Sequence, residues 1–449
     1  MDLRGIALIS AIGLLSLLAL RKPYVSVLML AWMSFMNPHR VAGHWSFVYD
    51  MPLFAAIIAL ALALSGWSFV NGKARFPNIG FVGFLLILFV AWLGITTYTA
   101  YYPTAALEGY SRFLKIQLAI VLTLLMIDSD KKLKELVWVI FGSIAFFGIK
   151  GGIFVVLTGG NFRVWGPPQS FIVGNNELAL ALIMTLPLGY FLYQDTEKKW
   201  LKSLMIGFLG IMTISILASY SRGAFLALGC TGIFLWLKSS KKLPIAAMMI
   251  LTVLVLIPFM PDKWFDRMDT IESYETDASA QGRINAWHMA FNLASDRITG
   301  GGYDTWSRYT FALYAPNPTD VKDAHSIYFE VMGEHGFTGL LLFFMIFSLT
   351  WMKASGIKRK ALKTDDQKWI GQLMSMCQVS LVAYATGGAF LGLAFWDLPY
   401  YLIAIVIISG SLLERHKIHP KQAPLARTST TAELPQRQDF LPGFCQKTK

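Results

Sequence analysis

Thirteen apolar runs decide the fold class of this chain before any motif is read. They fall near 5–20, 23–37, 51–70, 78–98, 110–128, 134–157, 174–194, 202–218, 222–238, 243–260, 336–353, 370–390 and 398–414. A crossing of the hydrocarbon takes roughly 20 mostly apolar residues. Inside lipid the backbone must satisfy its own polar groups, so each run that crosses has to be helical. The first two runs are short for full crossings; counted as one bent or partly inserted element, they leave about twelve spans. Charged residues make up only 15% of the chain, against about 25% in ordinary globular proteins. Alternating ten-residue strands, the mark of a membrane β-barrel, are missing. The expected class is therefore all-α: a polytopic integral membrane protein with about twelve transmembrane helices and one long periplasmic loop containing short helices. The run at 5–20 has no small-residue cleavage site before "RKPY" and reads as retained rather than removed.

Lysine and arginine in the short loops set the orientation. "NGKAR" (71–75), "DSDKKLKE" (128–135), "EKKWLK" (197–202), "KSSKK" (238–242) and "KASGIKRKALK" (353–363) alternate as cytoplasmic turns. The connections at 38–50, 99–109, 158–173, 219–222, 261–335 and 391–397 then face outward. The net charge of +12 is mostly this inward bias and gives no reason to expect nucleic acid as a partner. Four parts follow: N-terminal spans 1–260, a long loop 261–335, C-terminal spans 336–414, and a proline-bearing basic tail 415–449 without apolar period, expected to be disordered. Within the loop, "QGRINAWHMAFNLASDR" puts Ile284, Trp287, Phe291 and Ala294 on one helical face, as for a helix lying at the membrane surface.

Ionisable residues at the membrane edge are costly and read by default as functional. The outward edge carries Arg112, Lys115, Lys150, Arg163, Arg222, Arg283 and Arg308. Arg222, in "ASYSRGAFLAL", stands at a tight turn with a glycine beside it. A guanidinium there can grip phosphate oxygens bidentately, or simply snorkel to headgroups. Residues 261–335 hold six Lys/Arg against twelve Asp/Glu, so an anion bound there needs particular arginines, with Arg283 and Arg308 the candidates. Lys150 either meets lipid phosphate or pairs with Glu177.

"KDAHSIYFEVMGEHGFTGL" (322–340) is the densest chemistry in the chain, with two histidines, three carboxylates and three glycines. Asp323 is expected to cap a helix whose first turn holds His325. The positive end of that helix would keep the imidazole neutral and available as a base. Glu330 or Glu334 would orient it or stand one layer behind it, His335 reads as a surface residue, and Gly333, Gly336 and Gly339 permit close helix packing. A loop histidine with a purely structural role remains open on the residues alone. No nucleotide-binding loop, zinc spacing or Asp-rich cation site is found, so neither cofactor nor metal is expected. Cys230, Cys377 and Cys445 fit no metal or disulfide spacing.

"SYSRGAFLAL" and "AHSIYFEVMGEHGFTGL", placed around one late outward loop among about twelve spans, resemble the O-antigen ligase family. That superfamily also holds O-antigen polymerases and protein oligosaccharyltransferases. "RKPYVSVLMLAWMSFMNPHR" and "NFRVWGPPQSF" look like its branch of putative O-glycosylation ligases. The resemblance implies transfer of a glycan from undecaprenyl pyrophosphate to a hydroxyl of lipid A-core, at the periplasmic face of the bacterial inner membrane, without ATP or metal. Carried over, His325 would be the base, and Arg222 and Arg283 would hold the departing pyrophosphate. Arg308 and Arg163 would assist them. Glu334, Gln281 and Asp397 (in "FWDLPY") would support the site. His325 is followed by serine where many members have asparagine. Transfer to protein, polymerisation of the glycan, and transport of lipid-linked sugars are the competing readings. Transporters place ionisable groups at mid-membrane in repeated halves, whereas here they crowd the outer rim.

Overall fold

The computed structural model describes residues 3–42, 53–239 and 278–418, with isolated positions between 242 and 265. The expected run at 243–260, most of 261–277 and the tail beyond 418 lie outside the described residues. The described residues form helices and no strands. Among the described residues ten helices are long and apolar enough to cross a membrane, against about twelve expected. The chain is a multi-pass, all-α membrane protein. Two shorter helices, α2 (Tyr24–Met36) and α10 (Arg222–Lys238), accompany the ten. Residues 5–20 and 23–37 are not one bent element: α1 (Leu3–Arg21) and α2 are separate helices packed on each other.

After the single turn α3 (Pro38–Val41) come α4 (Leu53–Val70), α5 (Gly80–Tyr98), α6 (Pro103–Met126), α7 (Asp130–Thr158), α8 (Asn175–Asp195) and α9 (Lys199–Leu217). Lipid tails are as apolar as leucine, so helices here associate by close packing and not by escape from water. Glycines supply that approach. A Cβ at Gly152 of α7 would stand 2.2 Å from the Ile211 carbonyl oxygen of α9, and one at Gly148 would stand 2.6 Å from Leu182 of α8.

Beyond residue 277 the chain forms α11 (Ala278–Asp296), the short α12 (Arg308–Tyr314), α13 (Ile327–Ala361), α14 (Lys368–Gly387) and α15 (Asp397–Ile418). α8, α14 and α15 are buried almost throughout, whereas α1 and α4 are mostly exposed. Buried tyrosines fix the connection between α14 and α15: Tyr384 donates to the Leu393 carbonyl at 3.1 Å and Tyr400 to that of Ala394 at 2.8 Å. α11 packs on α13: Trp287 stacks on Phe329, Phe291 meets Phe337 edge-on, and Ala290 and Ala294 cluster with Met332. Ala286, Met289 and Leu293 cluster with Phe311 of α12. Trp287, Phe291 and Ala294 of the expected apolar face thus meet another helix.

α13 is broken at Gly336, whose φ of 69° and ψ of −177° belong to a region that only glycine enters readily. A helix kink leaves carbonyls without partners. Here the amides of Gly301 and Gly302 take them up, donating to Gly333 O at 2.9 Å and Glu334 O at 2.8 Å. A Cβ at Gly300 would stand 2.7 Å from Gly333 O, so the two backbones meet directly. The glycines expected only to permit helix packing thus also break the helix and seat a loop on it.

Candidate active site

His325 does not lie in a first helical turn. α13 begins at Ile327, Ser326 occupies the N-cap position without a side-chain capping bond, and Asp323 caps nothing. The histidine stands just outside the helix, half-buried, at a φ of 45°. That left-handed conformation strains most side chains and persists where the surroundings hold it. Trp287 of α11 supplies the hold, donating its indole N–H to the Ala324 carbonyl at 2.8 Å while stacking on Phe329, ring centroids 4.8 Å apart. The helix that carries Arg283 therefore also fixes the turn that carries His325.

Burial is the main force lowering the His325 pKa, and the Arg283 guanidinium lowers it further. Asp323 and Glu177 push the other way, more weakly. The net result is a neutral imidazole near pH 7, able to accept a proton. Glu177, at the start of α8, thus faces His325, and no ion pair joins it to Lys150 among the described residues. Arg222 opens α10 behind Ser221, whose hydroxyl accepts from the Ala224 amide at 3.2 Å. Its neighbour Gly223 packs against Phe390, and Gly388 of the same turn packs against Ile327. Arg222 and His325 are thus connected through two tight contacts. Gln281 lies exposed on α11, one turn or less from Arg283.

Glu330 and Glu334 do not orient His325. Glu330 Oε2 accepts from the Ala394 amide at 3.1 Å. Glu334 is buried, and its Oε1 accepts from the Asp304 amide at 3.2 Å and from Trp306 Nε1 at 3.1 Å. Glu334 lies seven residues along α13 from Ile327, about 10 Å at the helical rise, and His325 stands outside the helix before that. The two glutamates instead tie the loops 391–396 and 303–306 to α13. His335 is no surface residue either. It is fully buried, its Nδ1 2.6 Å from Thr96 Oγ1 of α5 and its ring edge-on to Tyr303 and Phe395.

Arg308 is exposed at the start of α12, just after a capping box made by Ser307 and Thr310. Asp397 is buried at the start of α15, where Ser34 of α2 donates to it at 2.6 Å. Arg112 pairs with Asp304 at 3.6 Å. Arg163 lines a separate cavity with Arg40 and Lys150. Arg283 and Glu177 act electrostatically on His325, Arg222 is linked to that turn only indirectly, through Gly223, Phe390, Gly388 and Ile327, and Arg308, Arg163 and Asp397 are placed elsewhere. Trp287 and Glu177 went unnoticed as site residues, since a tryptophan in an apolar face and a glutamate opening a helix are ordinary in sequence.

An apolar groove of 380 Å³ starts beside this turn at Ile327 and Tyr328 and follows α13 and α14 through Phe344, Phe347 and Trp351. Among the described residues no three His, Cys, Asp or Glu side chains gather as a metal site. No curated protein matches the chain. Residues 3–197 match a family model described only as a family of unknown function. Residues 207–344, which contain Arg222, Arg283 and His325, match the family model described as O-antigen ligase, which bears out the resemblance read from the motifs.

Proposed function

From that match at the segment holding the His325 turn, we propose that the protein is an O-antigen ligase acting at the periplasmic face of the bacterial inner membrane. It transfers a glycan from undecaprenyl pyrophosphate to a sugar hydroxyl of lipid A-core. His325 removes the proton from the acceptor hydroxyl as the oxygen attacks the anomeric carbon. The bond from that carbon to the pyrophosphate oxygen breaks, and undecaprenyl pyrophosphate leaves with the electron pair. Arg222 and Arg283 bind the pyrophosphate and offset the charge that grows on it. The apolar groove along α13 and α14 suits the polyprenyl tail, since it opens at Ile327, two residues from the base. The observation that carries the reading is the half-buried His325 held in a strained turn, with Arg283 close enough to depress its basicity.

The reaction is expected to need neither ATP nor metal. Purified wild type and His325→Ala are compared with undecaprenyl-pyrophosphate glycan and lipid A-core in detergent, with EDTA and without ATP. Wild type should yield slower-migrating lipopolysaccharide. The variant should bind donor but lose about 10²–10⁴-fold in rate, the usual worth of a general base. Equal rates would remove His325 from the mechanism. Product formed only when a protein or a glycan is the acceptor would reassign the acceptor and keep the chemistry.

A further inference from the structure

Arg40, Lys150 and Arg163 come from three separate elements, α3, α7 and the 159–174 loop, and line one cavity of 430 Å³. No carboxylate lines that cavity, and none of the three cations makes an ion pair among the described residues. Three like charges around one cavity with no counter-charge in its lining favour an anion among them. The wall is built, not a loose loop. The Gly166 amide donates to the Val173 carbonyl at 3.0 Å, and Ser170 Oγ donates to Pro167 O at 2.7 Å. A Cβ at Gly166 would collide with the Ile172 carbonyl oxygen, at 1.7 Å. The Arg40 side chain donates to Gln169 of the same loop, which fixes one cation against this wall.

Depth identifies the anion. Lys150 lies fifteen residues along α7 from Glu135, the last charge of the lysine-rich turn, about 22 Å at the helical rise. Its Cα therefore stands in the half of the hydrocarbon opposite that turn, and its long side chain reaches outward toward the headgroups. Phe154, one helical turn further, and Trp165 are both substantially exposed beside the cations. Aromatic and apolar surface next to a cationic pocket at that level is the chemistry of a lipid bound by its head. The cavity shares no lining residue with the His325 turn. Its loop adjoins the start of α10, the Gly160 carbonyl accepting from Tyr220 at 2.7 Å and the Arg163 charge acting on the same tyrosine.

We propose that Arg40, Lys150 and Arg163 form a second anion site that binds the phosphate headgroup of a membrane lipid. It lies within the segment matching the family of unknown function.

The test reads binding, not transfer. Full-length protein in detergent is titrated with phosphatidylglycerol, lipid A, dephosphorylated lipid A, phosphatidylcholine and inorganic phosphate, and retained ligand is measured by native mass spectrometry. Anionic lipid should bind saturably and weaken about tenfold or more in Lys150→Met and in Arg163→Gln. Lys131→Gln, in the opposite lysine-rich turn, should bind as wild type does. Arg163 lies exposed in a loop, so its replacement does not threaten folding. Tighter retention of phosphatidylglycerol assigns the site to bulk phospholipid. Tighter retention of lipid A, lost on dephosphorylation, assigns it to the phosphorylated acceptor lipid. Either result supports the proposal. Undiminished binding in both cavity variants, equal binding of phosphatidylcholine, or binding of inorganic phosphate alone would overturn it.

Discussion

Gly336→Ala is the sharpest perturbation the fold offers. The new Cβ would lie 2.1 Å from the Ile298 carbonyl oxygen and 2.9 Å from its carbon. Both atoms belong to backbone, so no side chain can swing aside. Alanine at a φ of 69° and ψ of −177° adds about 1–3 kcal/mol of strain. Relieving the collision moves the 298–302 segment off α13 and breaks the bonds from Gly301 to Gly333 and from Gly302 to Glu334. These are worth about 1 kcal/mol each. The sum is about 3–5 kcal/mol, a large part of the about 5–15 kcal/mol that holds most proteins folded. Gly356→Ala in the same helix is the control. Nothing lies within 4 Å of its Cβ, and the helix should gain about 0.5–1 kcal/mol. Thermal unfolding in detergent, with limited proteolysis around residues 297–303, separates the two. Gly336→Ala should melt well below wild type and be cut there, while Gly356→Ala melts at or above wild type. A Gly336→Ala protein as stable and as protease-resistant as wild type would refute the account of the kink.

Arg283→Gln removes one of the forces that lower the His325 pKa. That pKa should rise, so transfer, which needs the neutral imidazole, should fail at a higher pH than in wild type as the medium is acidified. A pH–rate profile with an unmoved acid limb would contradict the contact. Trp287→Phe keeps the stacking on Phe329 and deletes the bond to Ala324. If that bond holds His325 in its left-handed turn, kcat should fall with donor affinity unchanged; an unchanged kcat would show that the turn holds without it. Glu334→Gln retains an acceptor for Asp304 and Trp306, whereas Glu334→Ala leaves both donors unpaired at about 1–3 kcal/mol for each. Thermal scans should therefore rank glutamine well above alanine, and the reverse order would exclude the tethering role.

The membrane-spanning helices were legible because an apolar run of sufficient length has few alternatives in lipid. The His325 turn was legible because titratable groups are scarce elsewhere in the chain. The details that failed depend on partners distant in sequence. Whether Gly336 packs or breaks its helix is decided by Ile298 and the glycines at 300–302. His335 is taken inside by Thr96, Tyr303 and Phe395, none of which is near it in the chain. The apolar face of α11 could be read, but not what covers it, because hydrophobicity cannot separate the side that meets lipid from the side that meets another helix. Trp287 and Phe291 meet Phe329 and Phe337 of α13.

The burial of α15 bears on how the protein is made. It is the last described helix to leave the ribosome, yet it is enclosed by helices synthesised long before it. Asp397 reaches Ser34, 363 residues upstream, and Tyr401 packs on Phe35 at 5.1 Å between ring centroids. The earlier helices must therefore wait in the bilayer with an open slot until translation is nearly complete. A chain that stops short of residue 397 keeps that slot open to lipid, with the Ser34 hydroxyl and the neighbouring aromatic rings uncovered. Such a gap is a mark by which membrane quality control can tell an unfinished chain from a finished one.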